Sequence, residues 1–238
     1  MSIKENDFIE LDYTGTLEDG SLFDTTSEET AKRNKMKSDG ASYRPVVICV
    51  GENQIVPGLD QFVIGKEAGK EYILTLPPEK AFGIKDVKKI RLVPLNVFKK
   101  QGIMPVPGLQ VSIDGMRATL LRANGGRILV DFNHPLAGKT VNYRITIKRC
   151  VTDVTEQIKS YMKKLTDLPV EVKLNSETGT AAIVLSQELP KEITKELAQR
   201  IQKLTAIKSV VFARKEEEKS KPKSTRQETL GKTETAEW

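Results

Sequence analysis

The chain has 238 residues, of which 38% are hydrophobic and 29% charged, and its formal net charge is +6. This length exceeds one average domain, so we expect two or more folding units. No apolar run approaches the roughly 18 residues of a membrane span, and the first residues lack the apolar core of a secretory signal, so we expect a cytoplasmic protein. Cys49 and Cys150 lie far apart without partners at metal-ligand spacing, which argues against a disulfide framework, a zinc site or an iron–sulfur site. The single histidine, His134, and the lack of a G-x-S-x-G motif argue against most hydrolases that pair a nucleophile with histidine.

Basic residues are concentrated in one part of the chain. Residues 84–132 contain nine lysines and arginines against three acidic residues, whereas the charges of the remaining chain balance. The basic residues are Lys85, Lys88, Lys89, Arg91, Lys99, Lys100, Arg117, Arg122 and Arg127. A segment with its own charge character is expected to have its own surface and its own partners.

The first part of the chain predicts mainly strands. Residues 8–13 form a short apolar-rich run, and Asp19-Gly20 is a strong hairpin-turn signal. The polar residues 25–42 predict a loop or an exposed bulge. Residues 46–50 are a continuous, mostly β-branched run that predicts a strand buried on both faces.

A single short helix is predicted within this part, because residues 57–65 begin with proline, end with glycine and space their apolar residues helically. Residues 72–76 predict a further strand, and residues 140–148 alternate as the strand that completes the sheet. The pattern therefore indicates an antiparallel sheet wrapped over the helix, with the basic segment inserted before the last strand.

The basic insert itself predicts a small β unit. Its expected strands cover residues 90–93, 109–113, 119–121 and 128–131, with a short helical stretch near residues 95–100.

After Cys150 the apolar pattern changes to helical spacing, with Asp153 and Glu156 placed like a capping box. Two alternating strands, a second amphipathic helix and a last strand follow, which gives an αββαβ unit over residues 151–214. This unit is small for independent stability, so pairing with a second copy in a homodimer is expected. Residues 215–238 have no apolar periodicity and no net charge, and we expect them to be disordered.

Four ordered motifs resemble the FKBP-type peptidyl-prolyl isomerases, in particular the SlyD-like and long archaeal branch with a domain inserted in the flap. They are Y-T-G-T-L-E-D-G at residues 13–20 followed by F-D at 23–24, G-E-N-Q-I-V-P-G-L at 51–59, P-E-K-A-F-G at 78–83 and N-H-P-L-A-G-K at 133–139. The resemblance covers residues 1–150. It implies an α+β fold with an FKBP-like domain (1–83 and 134–150) and an inserted client-binding β domain (84–133), to which the residue pattern adds the C-terminal αββαβ domain (151–214) and the tail (215–238).

The resemblance also implies an apolar pocket that catalyses isomerisation of X-Pro bonds without a cofactor or a metal. Its expected residues are Tyr13, Phe23, Asp24, Val46, Ile55, Val56, Leu59, Phe82 and Tyr143. Asp24 is expected to orient the hydrogen bonds of the pocket. Phe82 stands where the family has tyrosine, so the ring is kept and a hydroxyl donor is lost. The histidine- and cysteine-rich metal tail of some relatives is absent, so nickel binding does not follow.

The insert is expected to hold unfolded or partly folded polypeptides that contain X-Pro bonds. Its candidate client-binding residues are Val87, Leu95, Phe98, Ile103, Met104 and Val106. Two alternatives stay open at this point. The chain could be a holdase chaperone without significant turnover, or its basic insert could make it a nucleic-acid-binding adaptor, although few aromatic residues in the insert are suited to stacking on bases. His134 is expected to be a structural turn residue rather than a site residue.

Overall fold

The computed structural model describes residues 2–36, 43–166, 168–175, 177–187 and 189–214, so the tail predicted for residues 215–238 lies outside the described residues. No helix within these ranges is both long and apolar enough to cross a membrane. Two short 3-10 helices cover Pro78–Lys80 and Val87–Lys89. The other elements, in chain order, are β1 (Phe8–Leu17), β2 (Leu22–Thr25), α1 (Glu28–Arg33), β3 (Val46–Cys49), α2 (Pro57–Val63), β4 (Glu71–Leu76), β5 (Ile90–Pro94), α3 (Leu95–Lys100), β6 (Gln110–Ile113), β7 (Met116–Asn124), β8 (Arg127–Asp131), β9 (Val141–Cys150), α4 (Val154–Thr166), β10 (Val170–Asn175), β11 (Thr180–Leu185), α5 (Lys191–Leu204) and β12 (Ser209–Arg214).

The main sheet has five antiparallel strands in the order β2-β1-β9-β4, with β3 also paired to β1. The long strand β1 pairs with β3 and β2 along one edge and with β9 along the other. Leu59 and Val63 of α2 are buried in the core beneath this sheet together with strand residues such as Ile145. The predicted antiparallel sheet over one short helix is therefore confirmed.

The prediction of a polar loop was wrong for part of residues 25–42, because residues 28–33 form helix α1. The hydroxyl of Ser27 caps this helix by accepting a hydrogen bond from the backbone N–H of Thr30 at 3.3 Å. Two ion pairs at helical spacing, Glu28–Lys32 and Glu29–Arg33, lie on its exposed surface. Such caps and pairs favour a helix even where few apolar residues mark a buried face. Residues 37–42 lie outside the described ranges.

The basic insert forms a second antiparallel sheet in the order β5-β8-β7-β6, with α3 packed on one face. Its own core contains Phe98 of α3 with Ile128 and Val130 of β8. Asp86 and Asn133 lie where the chain enters and leaves the insert. The side-chain oxygen of Asn133 accepts a hydrogen bond from the backbone N–H of Asp86, and the side-chain nitrogen of Asn133 donates to the backbone carbonyl of Asp86, both at 3.0 Å. This pairing fastens the two connections of the insert to each other.

The C-terminal part has the predicted αββαβ order. Strands β10 and β11 are antiparallel, β11 and β12 are parallel, and α4 packs against both β10 and β3. Strand β3 is therefore covered on both faces, as its apolar sequence predicted: Ile48 belongs to the core of the main sheet, whereas Cys49 packs with Met162 of α4. The carboxylate of Asp153 caps α4 by accepting from the backbone N–H of Glu156 at 2.9 Å.

Candidate active site

Four aromatic rings from different parts of the chain meet at the core of the main sheet. Phe23 makes edge-to-face contacts with Phe82 (ring centroids 5.8 Å apart) and with Tyr143 (5.7 Å). Tyr143 in turn contacts Tyr13 edge-to-face at 6.1 Å. Edge-to-face geometry is the favourable arrangement of aromatic quadrupoles, so the cluster is a continuous apolar wall.

The position of Phe23 in this wall depends on Gly15. The hairpin register places Gly15 opposite Asp24, and the neighbouring strand places it opposite Tyr143. A Cβ atom at Gly15 would lie 2.5 Å from the ring of Phe23, far inside a normal contact distance. The glycine of the Y-T-G motif is thus required because the Phe23 ring lies directly against the β1 backbone.

The wall contains one carboxylate with a defined partner. The hydroxyl of Tyr13 donates a hydrogen bond to Oδ2 of Asp24 at 3.0 Å. Burial and the negative charge of Asp24 raise the pKa of Tyr13 well above its usual range, and the same two causes raise the pKa of Tyr143. Both hydroxyls therefore remain protonated, and that of Tyr13 acts as a donor to Asp24.

Helix α2 and the turn before the insert are held close together beside the rings. Gly58 permits this approach, because a Cβ there would lie 2.6 Å from the carbonyl oxygen of Lys80. Leu59 is 1% exposed and belongs to the core cluster of the main sheet, against which Phe82 packs after the turn that begins at Pro78. The backbone N–H of Gly83 donates to the Pro78 carbonyl at 2.7 Å and so closes that turn.

The structure brings the nine predicted pocket residues together. Eight of them belong to one hydrophobic cluster, and Asp24 joins it through its hydrogen bond to Tyr13. The eight are Tyr13, Phe23, Val46, Ile55, Val56, Leu59, Phe82 and Tyr143. Their catalytic roles stay a prediction.

His134, which the sequence analysis left out of the site, lies against this cluster. Its ring stacks on Phe82 with centroids 4.7 Å apart and planes 2° from parallel. Its Nδ1 accepts a hydrogen bond from the backbone N–H of Leu136 at 3.1 Å, which leaves the proton of the neutral ring on Nε2. The N-H-P-L-A-G motif could have identified His134 from the sequence, because this motif connects the insert to the strand that carries Tyr143.

The six predicted client-binding residues divide into three groups by exposure. Val87, Met104 and Val106 are largely exposed, at 78%, 82% and 52%. Leu95 and Ile103 are partly buried against the core of the insert. Phe98 is fully buried at the centre of that core, so its assignment to a client-binding surface is corrected: it holds α3 on the sheet. In a unit of about fifty residues the largest apolar ring is needed to form the core.

Among the described residues, no group of three or more histidine, cysteine, aspartate or glutamate side chains is placed to hold a metal ion.

Comparison with known proteins identifies the family. The profile of the FKBP-type peptidyl-prolyl cis-trans isomerases matches residues 1–97, and the profile described as "FKBP26, IF domain" matches residues 91–136. The short-type peptidyl-prolyl cis-trans isomerase of Methanocaldococcus jannaschii is 34% identical over 146 residues, which are 61% of this chain and 92% of that protein. The FKBP-type 16 kDa isomerase of Escherichia coli is 29% identical over 150 residues (61% and 92%), and SlyD of Aeromonas hydrophila is 28% identical over 160 residues (66% and 69%). With the ring wall and its glycines in place, these matches show that the chain belongs to the FKBP-type peptidyl-prolyl cis-trans isomerase family.

Proposed function

We propose that the chain isomerises X-Pro bonds of folding polypeptides at the ring wall, while the insert holds the same polypeptide nearby. The observation that carries this proposal is the aromatic cluster of Tyr13, Phe23, Phe82 and Tyr143, whose Tyr13 hydroxyl is hydrogen-bonded to the Asp24 carboxylate. The free thiols of Cys49 and Cys150 fit a reducing compartment, and we place the activity in the cytoplasm.

The reaction needs no covalent chemistry. The barrier to rotation about an X-Pro bond is about 18–20 kcal/mol because the twisted amide loses resonance. The twisted amide is less polar than the planar amide, so an apolar wall that excludes water favours it over the ground state. The half-buried rings of Phe23 and Phe82 supply such a wall, and the buried ring of Tyr143 packs behind Phe23. Each factor of ten in rate requires a reduction of about 1.4 kcal/mol in the barrier.

Asp24 and Tyr13 contribute orientation in this scheme. Because the Tyr13 hydroxyl donates to Asp24, the carboxylate is fixed at the edge of the apolar wall. From there it places a negative charge near the carbonyl carbon of the rotating amide, which becomes more electron-poor in the twisted state because the nitrogen lone pair no longer delocalises onto it. Proton transfer to the substrate is not part of the scheme.

The insert is suited to holding clients because its exposed surface combines apolar and positively charged residues. Val87, Met104 and Val106 offer apolar contacts, and the segment carries nine basic residues. Of its three acidic residues, Asp131 is buried and paired with Lys85. Binding there raises the local concentration of the client's prolines at the ring wall, and the charge favours clients with acidic segments.

A second candidate function, client holding without turnover, is favoured by one observation. The ring at position 82 is phenylalanine, so it cannot donate a hydrogen bond to a substrate carbonyl. In that case the insert would bind folding chains, and the ring wall would contribute only an apolar contact.

Refolding of a protein whose slow phase is a proline isomerisation tests both candidates. Uncatalysed exchange takes on the order of 10–100 s at 25 °C, which is easily followed. With this chain at about one-hundredth of the client concentration, acceleration of the slow phase requires repeated turnover and supports the isomerase. Unchanged refolding at that ratio, with slowing that grows towards equimolar amounts, would contradict the isomerase and support the holdase.

A further inference from the structure

The C-terminal unit, defined as α4, β10, β11, α5 and β12, shares a core with the main sheet. Phe8 of β1 and Cys49 of β3 are buried with Ile158, Tyr161 and Met162 of α4 in one hydrophobic cluster. The rings of Phe8 and Tyr161 are in edge-to-face contact at 6.5 Å. The unit is thus docked on the face of the main sheet opposite the ring wall.

One carboxylate of the main domain is held by this unit. The side chain of Glu52 is 8% exposed, and three donors surround it. Nη2 of Arg200 donates to Oε1 at 2.5 Å, Nε of Arg200 donates to Oε2 at 2.9 Å, and the hydroxyl of Tyr161 donates to Oε2 at 3.0 Å. Burial and the hydrogen bond to Glu52 raise the pKa of Tyr161 to about 12, so its hydroxyl keeps its proton. Such a bidentate arginine pair fixes orientation as well as distance.

Glu52 lies in the loop that leads directly to the pocket. On its other side this loop is fastened to α2, because buried Asp60 accepts from the backbone N–H groups of Gly51 at 3.0 Å and Asn53 at 3.1 Å. Asn53 has a left-handed backbone, with φ of 52°. Residues 51–53 are therefore held by Asp60 on one side and by the C-terminal unit on the other. After one intervening residue the chain reaches Ile55 and Val56 of the pocket.

We propose that Glu52 is a positioning residue and that the C-terminal unit sets the geometry of the pocket through it. This inference rests on the isomerase activity proposed above. If Arg200 is removed, the buried carboxylate loses its charged partner and keeps only the hydroxyl of Tyr161, so it must move towards water to be solvated. The loop then shifts, and Ile55 and Val56 shift with it. Displacements of about 1 Å at such positions can cost as much as 100-fold in rate.

The chain offers a matched control for this test. Arg149 also links the main sheet to α4, through more exposed ion pairs with Glu10 at 2.6 Å and Glu156 at 2.5 Å, and its side-chain hydrogen bonds go to these two residues rather than to the loop of Glu52. Arg200→Gln and Arg149→Gln each remove one arginine that links the same two units. Only the first removes support from the pocket loop.

The experiment measures kcat/KM on a short X-Pro peptide, the thermal midpoint and the methyl NMR signals of Ile55 for each full-length variant. We expect Arg200→Gln to lower kcat/KM by about tenfold or more and to move the Ile55 signals. Arg200→Lys should give an intermediate loss of kcat/KM, because lysine keeps the charge but not the bidentate pair. Arg149→Gln should leave kcat/KM and the Ile55 signals unchanged. Equal losses in Arg200→Gln and Arg149→Gln, or full activity in Arg200→Gln, would overturn the inference. If Arg200→Gln does not fold, Tyr161→Phe removes a single donor to Glu52, and the same shift of the Ile55 signals is expected, on a smaller scale. An inactive unmodified chain would refute the proposed isomerase instead, and the Ile55 signals would still report the coupling.

Discussion

Substitution of Gly15 by alanine tests the geometry of the ring wall most directly. The new Cβ would lie 2.5, 2.9 and 3.1 Å from Cζ, Cε2 and Cε1 of Phe23, whereas relaxed carbon contacts are about 3.5–4.0 Å. The backbone at Gly15 does not have the positive φ that alanine resists, so the conflict is confined to the ring. The ring must retreat by about 1 Å, and Phe82 and Tyr143, which it contacts, must move with it.

We expect two measurable effects of Gly15→Ala. Overpacking of this kind costs about 1–3 kcal/mol in the free energy of unfolding, and each kcal/mol lowers the melting temperature of a chain this size by about 2–4 °C. A displaced wall should also lower kcat/KM for an X-Pro peptide by about tenfold or more. In a double-mutant cycle, Phe23→Leu removes the colliding ring atoms, so the losses should be non-additive by about 1 kcal/mol or more. Additive losses, or normal activity of Gly15→Ala, would refute the reasoning.

Four further substitutions separate catalysis, client binding and folding. Asp24→Ala should lower kcat/KM but leave the Kd for an unfolded client unchanged, because the proposed client surface lies on the insert. A parallel loss of both would contradict this division. Phe82→Tyr should raise kcat/KM several-fold in the same peptide assay if a hydroxyl at this position stabilises the transition state, and an unchanged value would show that the ring suffices. Phe98→Ala should lower the free energy of unfolding by about 3–5 kcal/mol, as measured by denaturant titration. Met104→Ala, at an exposed position, should change that free energy by less than about 0.5 kcal/mol but should weaken client binding in a binding isotherm.

Strand β3 shows why the sequence could predict most elements of this fold. Its uninterrupted apolar residues predicted burial on both faces, and Ile48 and Cys49 do lie in different cores. What the pattern could not specify is the covering element, because the contact between β3 and α4 joins residues about one hundred positions apart. Helix α1 illustrates the opposite case: its support is capping and surface pairing, which an apolar-periodicity argument does not detect.

The candidate site was predictable to the extent that motifs specify backbone geometry. The glycines at positions 15 and 58 are each explained by a close approach that a Cβ would prevent, and these approaches bring the rings together. Exposure within the insert was less predictable, because Phe98 and Met104 are both apolar and six positions apart, yet one is buried and the other 82% exposed. Hydrophobicity alone does not distinguish a small core from a client surface.

His134 gives the chain a pH dependence that can be attributed to one group, because it is the only histidine. Burial lowers the pKa of His134 from its ordinary 6.5, so the unfolded chain binds more protons than the folded chain as the pH falls through 6.5. The free energy of unfolding should therefore decrease on acidification below pH 6.5, until the folded-state pKa is passed.

Protonation of His134 also removes the acceptor for the Leu136 N–H and places a positive charge on the ring stacked on Phe82, so kcat/KM should fall in acid. His134→Phe keeps a ring at this position but cannot titrate, and its activity should stay level between about pH 5 and 6.5. An identical acid limb in this variant would assign the titration to another group and remove His134 from the site.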